Sequence, residues 1–363
     1  MPVRRKVVKR KTYKKVKYVA RKRAKVVRRK ITKRKAISSF VPPVVTFVAP
    51  PLPFIPPTTP IEYKGTYKFV NSDKTGTYLY DESTHFLLYE KAASRRGLLT
   101  SDFPPNYQSL IVLSKRSKIP IEVVNSNVSI EIASPANAGA LFVIPSQFNG
   151  VEYPHPDHVV RQFAEYLSDH TGGPAAQLAV HPAVGQFLLD TAFMTNTLAA
   201  LMQQIPKMKM VNGYLKVPQG QVAAADVLAH LDKIAILMMA NALVVGGTHR
   251  VNMVYASGVP INAYTNMYSD ENLRLIAYYI MVAQYFIVLD AAAVIGKNVK
   301  VFLMLLGAGV FNNRICEDTV AAIKTALYLL EQKHTSSPLI QVKILTFKGN
   351  PAEYKAVVEC LAK

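Results

Sequence analysis

The pattern of apolar and polar positions changes near residue 139. Residues 62–138 contain short apolar runs bounded by turn residues, which predicts a small β-rich region. From residue 139 onward, continuous apolar runs alternate with segments whose apolar residues recur every three or four positions. That alternation is typical of buried strands between helices. We therefore predict an α/β fold over residues 139–363, a three-layer α/β/α domain with a mixed sheet.

The same pattern predicts individual elements. We predict strands over residues 109–113, 121–124, 128–132, 140–144, 251–257, 300–306 and 340–347, with a hairpin over 66–80. We predict helices over residues 157–168, 182–203, 223–243, 271–293 and 318–331. Residues 276–295 approach the length of a membrane span, but they contain Gln284, Asp290 and three tyrosines. A buried helix is therefore the preferred interpretation, and we predict no transmembrane span.

Charge separates the first 35 residues from the rest. The chain of 363 residues has a net charge of +21, and 19 of its 44 Lys and Arg lie in residues 4–35, where no acid occurs. The remainder carries 25 basic residues (44 − 19) and 23 acidic ones, a balance of +2. Mutual repulsion and scarce apolar surface predict that residues 1–35 form a disordered basic arm.

The arm suits contact with nucleic-acid phosphates, and its two tyrosines are too few to suggest base recognition. A solvated tail, a localisation signal and an anionic membrane surface are the alternatives. The residues assigned to DNA or RNA are Arg4, Arg5, Lys6, Lys9, Arg10, Lys11, Lys14, Lys15, Arg21, Lys22, Arg23, Arg28, Arg29, Lys30, Lys33, Arg34 and Lys35.

Residues 36–61 carry no charge and eight prolines, which predicts a semi-rigid linker. Its apolar residues leave open a docking role with a protein partner.

The two cysteines, Cys316 and Cys360, belong to no recognisable motif, so we predict core or free thiols in an intracellular, reducing compartment. His155 and His158 have no strong third partner nearby, so we assign no metal site.

Three loops carry candidate chemistry. Residues 301–313 (VFLMLLGAGVFNN) lead from a buried strand through Gly307 and Gly309 towards a helix. Glycines permit close approach of a ligand, and ligands of open α/β sheets lie beyond the carboxyl ends of strands. The run therefore predicts a diphosphate-binding loop, with a tight strand-to-helix turn as the alternative.

The two other loops follow the same logic. Residues 170–175 (HTGGPA) form a turn whose amides are placed to face the same ligand, or a plain loop. Residues 144–154 place Gln147, Asn149 and Glu152 just after a buried strand. Amide side chains can recognise a base or a ribose hydroxyl, and a carboxylate can act as general base.

Taken together and in this order, these segments resemble macro-domain-like proteins of giant viruses, algae and some bacteria. Their fold is related to macro domains and poly(ADP-ribose) glycohydrolases. The resemblance covers residues 139–349. It rests on SQFNGVEYP (146–154), DHTGGPAAQLAVHPAV (169–184), NGYLKVP (212–218), VNMVYASGVPINAY (251–264) and VFLMLLGAGVFNN (301–313).

The resemblance implies a pocket for ADP-ribose or a related nucleotide, with no other cofactor assigned. It implies Glu152 as catalytic base, and ligand contacts by Gln147, Asn149, Thr171, Gly172, Gly173, Gly307, Gly309, Val310, Phe311 and Asn313. The chain departs from the family pattern at Ala308 and Asn312, where glycines are usual, at His170, where Arg is common, and at Gly172, where Gln is common.

Three functions follow as hypotheses. The first is a nucleic-acid-associated protein, of viral type, whose macro-like domain binds a nucleotide. The second is an ADP-ribosyl or nucleotide hydrolase with Glu152 as general base. The third is a structural virion component that uses the macro-like fold as a scaffold. The basic arm places the expected location in the nucleus or the virion interior. Because of the altered glycines, we rank binding or structural use above catalysis.

Overall fold

A computed structural model describes residues 119–362, apart from 194, 262–269, 296–297, 310, 312 and 334–339, together with two earlier strands. The basic arm, the Pro-rich linker and the predicted strand at 109–113 lie outside the described residues. So does most of the predicted hairpin at 66–80, of which the structure describes only residues 68–70.

Ten strands occur among the described residues. They are β1 (Lys68–Val70), β2 (His85–Tyr89), β3 (Ile121–Asn125), β4 (Leu141–Pro145), β5 (Lys209–Val211), β6 (Tyr214–Lys216), β7 (Ile236–Leu243), β8 (Arg250–Ala256), β9 (Val299–Met304) and β10 (Ile340–Thr346). Eight of them form one mixed sheet in the order β1-β2-β7-β8-β4-β9-β10-β3. The five strands from β8 to β3 are parallel, whereas β1, β2 and β7 pair antiparallel.

The described helices are α1 (Val128–Ala133), α2 (Gly172–Leu178), α3 (Pro182–Thr191), α4 (Ala199–Gln204), α5 (Ala224–Ala229), α6 (Glu271–Ile295), α7 (Ala321–Lys333) and α8 (Pro351–Ala362). Three 3₁₀ turns (Pro135–Asn137, Phe163–Ser168 and Leu231–Lys233) and one π-helical turn (Ile315–Val320) complete the helical elements of the described part of the chain.

The predicted α/β fold with three layers is confirmed, because successive side chains of one strand enter two separate cores. In β4, Leu141 and Val143 pack with α4 to α8 on one side of the sheet. Phe142 and Ile144 pack with α1 to α3 on the other side. A strand buried on both faces is continuously apolar, and this explains the unbroken runs in the sequence.

The long helix α6 lies inside the first of these cores. Its segment Glu271–Ala293 is the one described helix that is long and apolar enough to cross a membrane by length and composition. However, 94% of its most apolar window is buried within the protein. This agrees with the predicted buried helix, since an all-round apolar helix is also what the centre of a large domain requires.

Two predicted elements are wrong in type. Residues 128–132 form a helix rather than a strand, because Val128 and Ile132, one turn apart, are buried, whereas Ile130 is exposed. Residues 223–243 do not form one helix. The short helix α5 and a 3₁₀ turn are followed by β7, a buried strand whose Met, Ala and Leu residues are good helix formers.

Other boundaries also differ. Of the helix predicted over 157–168, only the 3₁₀ turn Phe163–Ser168 forms. β1 pairs antiparallel with β2, and the second strand of the predicted hairpin, at 78–80, lies outside the described residues. Cys316 and Cys360 form a disulfide, so the prediction of core or free thiols is wrong. The bond joins the π-helical turn to α8, two elements that pack against each other across 44 positions of sequence.

Candidate functional site

A cleft of about 880 Å³ lies at the carboxyl ends of four parallel strands. Pro145, Ala256, Met304 and Leu345, at or near the ends of β4, β8, β9 and β10, contribute to its lining. The loops that follow these strands form its walls. This is the edge of an open α/β sheet where ligands usually bind.

The loop after β4 folds back on itself and carries Glu152 into the cleft. The Gln147 side chain accepts a hydrogen bond from the Tyr153 backbone N–H at 2.6 Å, and the Gln147 backbone N–H donates to Val151 O at 2.8 Å. Gly150 makes the turn with φ of +84°, and a side chain there would overlap Leu237. The amide of Gln147 thus shapes the loop that positions the carboxylate.

Helix α2 begins against this carboxylate. The Gly173 backbone N–H donates to Glu152 Oε2 at 2.7 Å. A Cβ at Gly173 would overlap both Glu152 Oε2 and the Pro145 carbonyl oxygen, so only glycine allows the helix to approach this closely. Asp169 Oδ1 accepts hydrogen bonds from the Thr171 N–H at 2.9 Å and its hydroxyl at 2.7 Å, which orders the entry to the helix.

The pKa of Glu152 is raised to about 7, mainly by burial and to a smaller extent by the negative charge of Asp169. The hydrogen bond from the Gly173 N–H and, to a smaller extent, the nearby Thr171 hydroxyl act in the opposite direction, because they stabilise the charged form. Glu165, another carboxyl on the cleft wall, has a lowered pKa because the backbone N–H groups of Arg161 and Gln162 donate to it. Two carboxyl groups whose pKa values are shifted in opposite directions are a common arrangement in sites of acid and base chemistry.

The raised pKa predicts a pH-dependent gain in stability for Glu152→Gln. Below pH 4.5 the carboxyl is neutral whether folded or unfolded, so the substitution changes little. Between pH 4.5 and 7 the Glu152 carboxyl ionises more readily in the unfolded chain than in the folded protein. The folded protein therefore loses stability as the pH rises through this range. We expect the variant to be more stable by about 1–3 kcal/mol above pH 7. Thermal unfolding from pH 4 to 8 measures this, with the exposed Glu359→Gln as control; equal curves for both variants would contradict it.

The loop after β9, the strand next to β4, forms another part of the cleft wall. Gly307 has φ of +75°, and a Cβ at Gly258 would lie 2.7 Å from Gly307 Cα, so these two backbone segments touch. Asn313 holds the loop from behind, because its N–H donates to Gly307 O at 2.9 Å and its side chain donates to Val259 O at 3.3 Å. At Gly309 a Cβ would meet no atom within 4 Å, so the loop backbone is open there.

Two polar residues of α6 fix the two cleft strands from within the core. Gln284 pairs with the backbone of Ser257 after β8, accepting from its N–H at 2.9 Å and donating to its carbonyl at 2.8 Å. The Tyr285 hydroxyl donates to Met304 O at 2.8 Å and accepts from the Leu306 N–H at 3.1 Å. These contacts account for two of the polar interruptions of an otherwise apolar helix.

We expect Tyr285→Phe to cost about 1–3 kcal/mol of stability and to loosen the glycine loop, because the Met304 carbonyl and the Leu306 N–H each lose a hydrogen bond and retain the 3.0 Å bond that joins them. Urea unfolding measures the cost, and limited proteolysis after Leu306 measures the loosening. Tyr354→Phe on exposed α8 is the matched control, expected within about 0.5 kcal/mol. A Tyr285→Phe protein as stable as that control would contradict the role.

The structure divides the predicted site residues into two groups. Those that line the cleft are Gln147, Glu152, Thr171, Gly172, Gly307, Gly309 and Phe311. Asn149, Gly173 and Asn313 do not line the cleft but lie behind it; Asn149 donates to the Tyr153 hydroxyl and accepts from Val151 N–H, both at 3.3 Å. Val310 lies outside the described residues.

The cleft also contains residues that the sequence analysis did not assign. Tyr214 and Phe311 form a tilted aromatic pair with ring centroids 5.9 Å apart. Asp169 and the His158–Glu165 pair, 3.6 Å apart, line the wall before α2, and half-exposed Phe347 follows β10. In the sequence, the feature that could have identified Asp169 is the polar run Ser168–Thr171 just before Gly172 and Gly173. In the part of the chain that the structure describes, no three His, Cys, Asp or Glu are grouped as metal ligands.

Comparison with known proteins gives structural neighbours only. No family model and no curated protein sequence matches the chain. Among solved structures, poly(ADP-ribose) glycohydrolase from Thermomonospora curvata is 12% identical, with a TM-score of 0.35, covering 70% of this chain and 84% of that one. A mutant of poly(ADP-ribose) glycohydrolase from Deinococcus radiodurans, in complex with ADP-ribose, is 15% identical, with a TM-score of 0.38, covering 71% of this chain and 92% of that one.

Proposed function

We propose that the cleft binds ADP-ribose or a related nucleoside diphosphate. The observation that carries the proposal is that Glu152 and the glycine loop line one cleft at the carboxyl ends of the parallel strands. The open backbone at Gly309 suits the approach of phosphate oxygens. A cleft of about 880 Å³ is large enough for a ligand of this size.

Calorimetric titration of the full chain with ADP-ribose tests the proposal, with ADP and ribose 5-phosphate as comparison ligands. A salt concentration near 0.3 M weakens non-specific attraction between the basic arm and the phosphates. We expect ADP-ribose to bind best, with micromolar affinity. At Gly309 an added Cβ would meet no atom of the described residues within 4 Å, its chain neighbours aside, so Gly309→Val should weaken binding at least tenfold without unfolding the protein. Equal affinity in the variant would contradict this site.

We extend the proposal to hydrolysis of an ADP-ribosyl bond, with Glu152 as general base. The pKa of about 7 supports this role, since a general base works best when its pKa is near the operating pH. The carboxylate is held by Gly173 and faces the cleft, so its orientation is set before a ligand arrives. The charged form of Glu152 would take a proton from the attacking water.

A second function is favoured by the 19 basic residues of the arm. We propose that residues 1–35 bind the phosphates of DNA or RNA and thereby hold the cleft near nucleic acid, in the nucleus or in the interior of a virion. The Pro-rich residues 36–61 would connect the arm to the folded part and contact a protein partner.

Deletion of residues 1–35 is therefore expected to abolish sequence-independent DNA binding. With roughly ten phosphate contacts, affinity of the intact chain should fall about 10³–10⁵-fold between 50 and 200 mM salt. Fluorescence anisotropy with a short labelled duplex measures both effects. A chain with the arm's Lys and Arg changed to Gln keeps the length and serves as control; a truncated chain that still binds DNA would contradict the proposal.

A further inference from the structure

A small cavity adjoins Glu152 and shares this residue, Pro145 and Tyr166 with the lining of the large cleft. Its volume is about 10 Å³, close to what a single water molecule requires. Its wall includes Glu152, Gln177, Tyr255 and Tyr166, together with Gly173 at the start of α2. A water molecule is stable in such a space only if it finds two to four polar partners.

Gln177 supplies one such partner. The residue is buried, with 4% of its surface exposed, and its Oε1 atom has no hydrogen-bond donor. Gly173 and Gln177 are four positions apart on α2, so they share a helix face. Helical side chains lean towards the N-terminus, which turns the Gln177 side chain towards the Gly173 end, where Glu152 is bound.

The remaining partners surround the same space. Burial raises the pKa of Tyr255, and a hydrogen bond with the Gln177 side chain opposes that rise. Because Gln177 Oε1 has no partner, the Gln177 amide nitrogen is the donor of this bond. As a donor, the Tyr255 hydroxyl makes a weak contact of 3.7 Å with Met253 Sδ. An unpartnered buried carbonyl destabilises the folded state, so a donor at Gln177 Oε1 would stabilise the fold.

We propose that this cavity is a binding site for one resident water, which donates one hydrogen bond to Gln177 Oε1 and the other to the Glu152 carboxylate. Gln177 is then a positioning residue: it holds the water that gives the carboxylate a second donor beside the Gly173 N–H. The inference rests on the proposed function only in taking Glu152 as the general base, since the water site itself requires no nucleotide.

The consequence concerns the charged form of Glu152. Gln177→Leu removes the polar anchor of the water at similar side-chain volume. Loss of the donor and a more apolar wall both disfavour the carboxylate, so both raise the pKa of Glu152. The other groups around this carboxyl are unchanged in the variant: Asp169, Tyr166 and Tyr153 nearby, with His158, Glu165 and His170 further along the cleft wall.

The test is a carbon-13 NMR titration of the full chain labelled at the Glu side-chain carboxyl, with the Glu152 signal assigned by its loss in Glu152→Gln. We expect a midpoint near 7 in the unsubstituted protein and a rise of about one pH unit in Gln177→Leu. Gln186→Leu on α3 is the matched control, expected to leave the midpoint unchanged. Gln177→Met, unbranched and apolar, repeats the measurement if the leucine variant does not fold.

An unchanged or lower midpoint in both Gln177 variants would overturn the proposal. A crystal structure at high resolution with no water between Gln177 and Glu152 would do so as well. Neither measurement uses a nucleotide, so failure of the water site is distinguishable from failure of the proposed ligand or reaction, which the calorimetric titration reports separately.

Discussion

Glu152→Gln is expected to slow hydrolysis of an ADP-ribosyl bond by about 10²–10⁴-fold, while ADP-ribose affinity stays within about threefold of the unsubstituted protein. Glutamine keeps the size of the side chain and an oxygen for the Gly173 N–H, so the cleft retains its shape. It cannot accept a proton from the attacking water. The loss should therefore fall on turnover and leave binding intact.

The measurement is release of ADP-ribose from a synthetic ADP-ribosyl conjugate, followed by chromatography, with affinity determined separately by calorimetry. Because the charged carboxylate is the active form, the rate of the unsubstituted protein should rise with pH around a midpoint near 7 and level off above it. Glu359→Gln controls for the loss of a carboxylate elsewhere. Equal turnover in Glu152→Gln and the control would remove Glu152 from the mechanism.

Asp318→Ala is expected to destabilise the protein by about 3–5 kcal/mol. Asp318 is almost fully buried, and its carboxylate accepts from Arg274 of α6 at 2.9 Å and from the Arg314 backbone N–H at 2.8 Å. Removal of the carboxylate leaves a largely buried cation on α6 and frees the start of the π-helical turn. That turn directly follows the glycine loop, so ligand affinity should fall together with stability.

Urea unfolding measures the loss, and the exposed Glu359→Ala, which removes one partner of a surface pair with Lys355, is the comparison. A surface pair of this kind contributes about 0–1 kcal/mol, so the two variants should differ clearly in their midpoints. If Asp318→Ala unfolds at the same urea concentration as Glu359→Ala, the buried pair does not hold this corner of the fold.

The sequence pattern predicted the parallel part of the sheet well, because strands buried on both faces leave continuous apolar runs such as β9 and β10. It failed where the pattern fits two structures equally. In residues 128–132, apolar and polar residues alternate as they do in a strand. The segment is nevertheless a helix, in which Val128 and Ile132, one turn apart, are the buried residues. Helix α8 went unpredicted, and β7 contains the residues of a good helix and becomes a strand only through its neighbours β2 and β8.

The candidate site was predictable to the extent that loops after strands are fixed by topology. Glu152 and Gly307 follow strand ends, so their meeting in one cleft could be expected from the sequence. Thr171 lies between a 3₁₀ turn and α2, so its place in the cleft could not be expected from the strand order. The role of an individual side chain within a loop could not be predicted from the sequence. Asn149 and Asn313 have the same chemistry as a ligand contact but are used to hold backbone, and this depends on contacts that only the folded chain creates.

The disulfide between Cys316 and Cys360 gives the end of the chain an unusual mechanical property. The closed loop contains α7, β10 and most of α8, so a pull on the C-terminus reaches the core at Cys316 instead of peeling these elements away in order. β10 lies between β9 and β3 and completes the cleft edge. Tension on a tethered C-terminus would thus bear on the π-helical turn behind the glycine loop, while the last strand and helix stay shielded from the load.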